Sequence, residues 1–317
     1  MIPVLLGVTF IIFSILELTP GDPARAMLGE DVLEEVIQEY REQLGLNQPF
    51  LVRYFNYVAG LLRGDFGTSY VTKQPVFEEL VTRYPTTITL ATVSTLIAVL
   101  IAIPLGVISA VHENRFIDSV SRVVAMIGVS MPNFWQGLLN IVVFCVYLKW
   151  LPSSGFNTPA HWILPAVTIG TSGAAAIMRT TRSTMLETIR QDYIRTARAK
   201  GAAERTVIWK HALINTLIPV STVIGLRFGG SLAGSVVTEQ VFNIPGLGKL
   251  MIDSINNRNY PVVLGGVLLI AFVYGIVNLL VDIFYAFIDP RVKSQYVRSK
   301  KKKARRTAPE GRAMANE

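Results

Sequence analysis

The chain has 317 residues, 51% of them hydrophobic and only 16% charged, against roughly 25% charged residues in an average soluble domain. Several apolar runs approach the ~20 residues needed to cross a bilayer, which excludes a pair of soluble domains and makes the class an all-α polytopic membrane protein. The formal charge of +8 concentrates in residues 179–210 and after Asp289, the positive-inside pattern of a membrane protein, so no nucleic-acid partner is expected.

One cysteine, Cys145, cannot form an intramolecular disulfide, and His112, His161 and His211 show no ligand spacing, so no metal site is expected. The first predicted span, residues 2–18, is short and lacks a cationic flank. A signal peptide competes with it, because Ala24-Arg25-Ala26 has the small residues of a cleavage site. A retained helix is the preferred reading, since there is no basic leader and Thr19-Pro20-Gly21-Asp22-Pro23 intervenes. The missing flank suggests a translation start further upstream. Asp22 followed by Pro23 is a helix-start pattern, a capping side chain and then a first-turn proline. Residues 19–85 are mixed and polar, with more acids than bases, and are predicted to form an external helical subdomain.

The remainder, residues 86–290, is predicted to hold spans two to six. Span two covers about 86–111, with a bend expected at Pro104, and ends in the tight turn His112-Glu113-Asn114-Arg115. Span three, about 119–148, is interrupted by Ser130-Met131-Pro132-Asn133. A proline there must have its freed carbonyl satisfied by neighbours, so Pro132 and Asn133 mark either a packed kink or the wall of a cavity. Span four, about 163–185, is rich in glycine and alanine over 170–176, as a closely packed helix requires.

Residues 187–212 then form a basic elbow. Good helix formers lead up to Gly201, which is placed for a left-handed cap, and a second short helix is predicted from Ala203 to His211. Span five, about 213–237, carries Arg227 near its middle, where an arginine costs about 2.5–3.5 kcal/mol on insertion scales and must face protein or water. It either lines a solute path or pairs with Asp282 or Glu239. Span six covers about 262–288. The tail, 291–317, contains a block of lysine and arginine from Lys300 to Arg306 and is predicted to be disordered, drawn to anionic lipid by about 1 kcal/mol per basic residue.

The run Tyr193, Arg195, Thr196, Ala197, Arg198, Ala199, Lys200, Gly201 and then His211-Ala212-Leu213 resembles the cytoplasmic coupling loop of binding-protein-dependent ABC importer permeases, in its peptide-transporting branch. Leu44-Gly45-Leu46-Asn47-Gln48-Pro49, Gly64-Asp65-Phe66-Gly67-Thr68-Ser69, the stretch from Glu239 to Gly248, Arg258-Asn259-Tyr260-Pro261 and Asp289-Pro290-Arg291 are similar to further signatures of the oligopeptide, dipeptide and nickel permeases. An aspartate is more usual in that family where Asn259 stands here.

The resemblance implies the type I ABC importer permease fold, with six transmembrane helices and the external insertion after helix 1. It implies a multi-pass protein of the inner membrane, both termini cytoplasmic, that forms half of a pathway for di- or oligopeptides. Its implied partners are a second homologous permease, two ATP-binding subunits, an external substrate-binding protein and membrane lipid. ATP and magnesium would be held by those subunits, since Gly248-Lys249 lacks the rest of a phosphate loop; the chain itself is expected to carry no cofactor and to be no enzyme. ATPase coupling is assigned to Arg195, Ala197, Arg198, Lys200, Gly201, Ala202, Ala203, Glu204, Arg205, Lys210 and His211, and the substrate path to Arg227, Pro132 and Asn133. The alternatives are the same architecture carrying nickel or another small solute, or an ion-coupled secondary transporter. The latter would need repeats and paired membrane carboxylates, of which only Asp282 gives a hint.

Overall fold

The computed structural model describes residues 1–29 and 32–288; Asp289-Pro290-Arg291 and the basic tail lie outside the described residues. Helix α1 (Ile2–Leu18) is followed by three shorter helices, α2 (Pro23–Leu28), α3 (Glu34–Gln43) and α4 (Phe50–Leu62). Asp22 caps α2 by accepting from the Ala24 amide at 3.1 Å, with Pro23 in the first turn, as the sequence pattern predicts. Phe10 and Phe13 of α1 meet Phe50 and Tyr54 of α4 edge to face, with centroids 5.2–6.0 Å apart. Such aromatic pairs hold beyond their buried area. Arg53 adds an ion pair to Glu17 at 2.8 Å.

Helix α5 (Val76–Val111) begins at Val76, inside what composition assigned to the insertion. Its 36 residues span about 54 Å at 1.5 Å per residue, far more than the ~30 Å hydrocarbon core. The polar first turns therefore project beyond the bilayer, and Pro85 and Pro104 both lie inside one helix.

Span three is broken more sharply than a kink. Helix α6 (Phe116–Ser130) and helix α7 (Asn133–Asn140, continuing as a π-helical stretch over Ile141–Tyr147) are bent by 102°. The cause is local. Met131 precedes a proline, which disfavours the helical region, and Met131 and Pro132 both have extended ψ, 128° and 136°.

Helix α8 (Pro159–Ile189) packs along α5 as the central pair. A Cβ on Gly170 would lie 2.8 Å from the Ser94 carbonyl oxygen, and one on Gly106 would lie 2.9 Å from that of Met178. The two backbones thus touch at two levels, as small residues allow in membrane helix packing.

Helices α9 (Asp192–Ala199) and α10 (Glu204–Thr206) form the elbow. The predicted separate helix ending at His211 is corrected. From Glu204 the chain continues through a π-helical stretch, Val207–Ala212, directly into α11 (Leu213–Gly234), because Val207, Ile208 and Ala212 are buried and no breaker follows them. The chain closes with α12 (Val236–Val241), α13 (Leu247–Asn256) and α14 (Tyr260–Ile288). Among the described residues four helices are long and apolar enough to cross a membrane, the bent pair α6–α7 makes a fifth if it is taken as one span, and α1 is a shorter apolar helix of 17 residues.

Two buried polar side chains fix the helix ends. Asn259 accepts from the Tyr70 amide at 2.9 Å and donates to Ser69 Oγ at 2.8 Å, so its amide makes both bonds and needs no charge. Glu239 is fully buried. It accepts from Thr87 Oγ1 at 2.7 Å, from Ser235 Oγ at 3.1 Å and, at the N-terminus of α13, from the Lys249 amide at 3.1 Å. A buried carboxylate is tolerable here because helix N-terminal amides and hydroxyls share its charge. Glu239→Ala leaves those donors without an acceptor, at about 1–3 kcal/mol for each orphaned group. The expected result is a clear fall in the Tm of the purified protein; an unchanged Tm would show that water replaces the carboxylate.

Candidate functional site

Two places gather the residues singled out by sequence: the elbow at one end of the bundle and a polar cavity within it.

The elbow has an inner and an outer face. On the inner face Ile194, Val207, Ile208 and Ala212 are buried in one cluster with Val107 and Ala110 of α5 and Met185 of α8, and Ala197 and Ala202 pack against it. This apolar cluster packs the elbow directly against α5 and α8. On the outer face Arg195, Lys200, Gly201, Ala203, Arg205 and Lys210 are exposed, while His211 is half-buried. Gly201 caps the turn at φ +79°, the left-handed region that a side chain disfavours. Open space surrounds the position a Cβ would take.

Arg198 and Glu204 are given to each other. Their side chains form a forked pair at 3.1 and 2.7 Å across the turn, and those hydrogen bonds raise the Arg198 guanidinium further above its ordinary pKa. Arg195 lies 3.8 Å from Asp192, fully in solvent. The outer surface therefore narrows to Gly201, Ala203 and the cations Arg195, Lys200, Arg205 and Lys210, since Ala197 and Ala202 turn inward. Sequence reading assigned no coupling role to two exposed aromatics of this surface, Tyr193, named only as part of the motif, and Trp209. Aromatic side chains left in water on a small, cationic surface are the signal that could have found them.

The cavity, about 170 Å³, lies among α5, α7, α8 and α11. Arg227 and Asn133, far apart in sequence, both line it, with Ser94, Thr95, Ser172 and Ser231. Pro132 shapes the bend that delivers Asn133 but stands outside the cavity itself. Arg227 makes no ion pair among the described residues. Glu239 is occupied by hydroxyl and amide donors as described above, and Asp282 is exposed on α14. The structural pairs offered for Arg227 are thus not formed. Alone among the cavity's lining residues it is charged, so the site is suited to an anionic group flanked by hydroxyl and amide donors.

Residues 102–294 match the family of binding-protein-dependent transport system inner membrane components, and residues 1–91 match the N-terminal part of such membrane components. The chain is 44% identical over 293 residues to the glutathione transport system permease protein GsiC of Salmonella choleraesuis, covering 92% of this chain and 96% of that one. It is 41% identical over 321 residues to the dipeptide transport system permease protein DppB of Alkalihalophilus pseudofirmus, with the same coverage. A solved inward-facing structure of the MetNI methionine ABC transporter shares the fold, with a TM-score of 0.58 at 19% identity over 67% of this chain and 96% of that one.

Proposed function

Because this chain belongs to the binding-protein-dependent transport system inner membrane components, the permeases of ABC importers, we propose that it forms half of an ATP-driven pathway for peptides. Peptide cargo is favoured by the relatives, named for glutathione and for dipeptides. The observation that carries the reading is the elbow, whose inner face is locked into the bundle while its outer face stands free.

The partners in this reading are a second homologous permease, two ATP-binding subunits holding ATP and magnesium, and an external binding protein that delivers the peptide. Residues 19–75, with the polar first turns of α5, form the external subdomain, both termini are cytoplasmic, and the 187–212 elbow seats in an ATP-binding subunit. When those subunits close, each elbow moves with its partner. Because Ile194, Val207 and Ile208 are packed on Val107, Ala110 and Met185, the displacement passes straight into α5 and α8, which line the cavity. At about 170 Å³ the cavity is below the roughly 300–1,000 Å³ of an enclosed small-molecule site. It serves as one wall, completed by the second permease. Arg227 takes the peptide's carboxylate, and Asn133 and the serines take its amides.

The test is uptake of labelled peptide into vesicles carrying the reconstituted complex. Uptake is expected to need the ATP-binding subunits, ATP and the loaded binding protein together, and to persist when ion gradients are collapsed. Uptake that instead follows an imposed ion gradient without ATP would overturn the reading.

A further inference from the structure

Outside the elbow and the cavity, the most heavily partnered charge among the described residues is Asp118. Its side chain is completely buried, and it stands in the first turn of α6. Arg182 of α8 grips it with a forked pair, Nε and Nη2 each at 2.8 Å. Ser109 of α5 donates to it at 2.6 Å, the Asn114 amide of the connecting turn donates at 3.0 Å, and Arg122 approaches to 3.5 Å. One carboxylate therefore ties three helices and the turn between two of them.

A carboxylate this buried needs partners such as these, and removing them leaves a charge unmatched in low dielectric. That requirement explains the cluster but not its place. Arg182 lies one helical turn before Met185, and Ser109 lies beside Ala110; Met185 and Ala110 both belong to the elbow's buried anchor. The node and the anchor are thus adjacent on the same two helices. From Asp118, α6 runs on to Ser130, about 18 Å at 1.5 Å per residue, before the 102° break. Beyond the break stands Asn133, in the wall of the cavity with Arg227. A helix held at one end by a rigid fork and ending at the cavity is a connecting rod.

We propose that Asp118 and Arg182 are positioning residues that carry displacement of the elbow along α6 to Asn133, so that the cavity wall follows the ATP-binding partners. This rests on the importer reading and adds to it a named route for the motion. A merely structural clasp would stabilise the bundle without linking the two ends. In the relay, weakening the fork lets α5 and α8 move while α6 lags.

The experiment uses the whole reconstituted complex, with spin labels at Met126 on α6 and Glu187 on α8, both exposed. In the wild type the fork makes α6 follow α8, so the label separation is expected to stay unchanged on ATP binding, and ATP hydrolysis is expected to be stimulated by loaded binding protein. Asp118→Asn is expected to keep hydrolysis within twofold of the unstimulated rate, lose the stimulation, lower uptake per assembled complex at least tenfold and let the label separation change on ATP binding as α6 lags behind α8. Arg182→Lys keeps the charge without the fork, so it assembles even if the first variant does not, and is expected to give a milder loss of the same kind. Uptake and hydrolysis falling together in proportion to assembled complex, or either assembled variant retaining wild-type coupling and an unchanged label separation, would overturn the relay. A wild-type complex that takes up peptide without ATP would instead overturn the importer reading beneath it.

Discussion

Gly201→Trp is expected to give a permease that inserts and assembles its own bundle but no longer converts ATP hydrolysis into uptake. Two effects are separable at this position. The first is backbone strain, because φ is +79°, and a side chain in the left-handed region costs about 1–2 kcal/mol. The second is bulk. Open space surrounds a Cβ within the chain, so the side chain leaves the backbone without a clash at its first atom and is expected to project from the exposed outer face of the elbow. There it wedges between the elbow and the ATP-binding subunit, where overpacking a fitted contact costs about 1–3 kcal/mol, a factor of roughly 5–150 in coupling. Gly201→Asn divides the two, since asparagine tolerates the left-handed conformation and is small. The expected order of uptake per assembled complex is wild type, then Gly201→Asn slightly lower, then Gly201→Trp far below both, with hydrolysis retained or deregulated in the last. If Gly201→Trp transports as well as Gly201→Asn, the elbow is not the seat of the ATP-binding partner.

How far sequence anticipates this elbow depends on what each residue has to satisfy. Gly201 was legible because a helix of good formers ending in glycine has one economical geometry. Asp22-Pro23 was legible for the same local reason. The direction in which the alanines face was not. Ala197 and Ala202 turn inward because Ile194, Val207 and Ile208 claim the α5–α8 side, and that is decided by helices distant in sequence. The Arg198–Glu204 fork is a further loss. Both charges looked available to a partner, and only the turn at Gly201 brings them within 3.1 Å. The start of α5 was misjudged because Pro85 looked like a boundary, yet proline is tolerated where flanking turns and neighbours satisfy the backbone. Asp118 was overlooked for a plainer reason: in the sequence it is one acid beside a basic turn, and only the fold shows that it is buried.

The sharpest separation of roles is expected at Arg227. An arginine in the hydrocarbon region carries an insertion cost of about 2.5–3.5 kcal/mol, and a structural pair would have to offset it. No such pair is present among the described residues, and the side chain faces a cavity with serines and Asn133. The two roles therefore predict opposite signs of stability. If Arg227 held the bundle together, Arg227→Gln would lower Tm. If it serves the path, the neutral amide leaves Tm unchanged or higher, because the bundle no longer has to accommodate a charge. Transport moves the other way. Loss of a charge-assisted hydrogen bond to a carboxylate, about 1.5–3 kcal/mol, corresponds to roughly a 10- to 150-fold fall in uptake. Elbow and ATP-binding partners are untouched, so hydrolysis is expected to continue. Arg227→Lys, which keeps the charge but not the fork, is expected to recover part of the uptake of a carboxylate-bearing peptide. A peptide with an amidated C-terminus should lose less than its free-acid counterpart in Arg227→Gln, because it offers the arginine no terminal charge to bind. Equal losses for the two peptides, or a fall in Tm matching the fall in uptake, would remove Arg227 from the path.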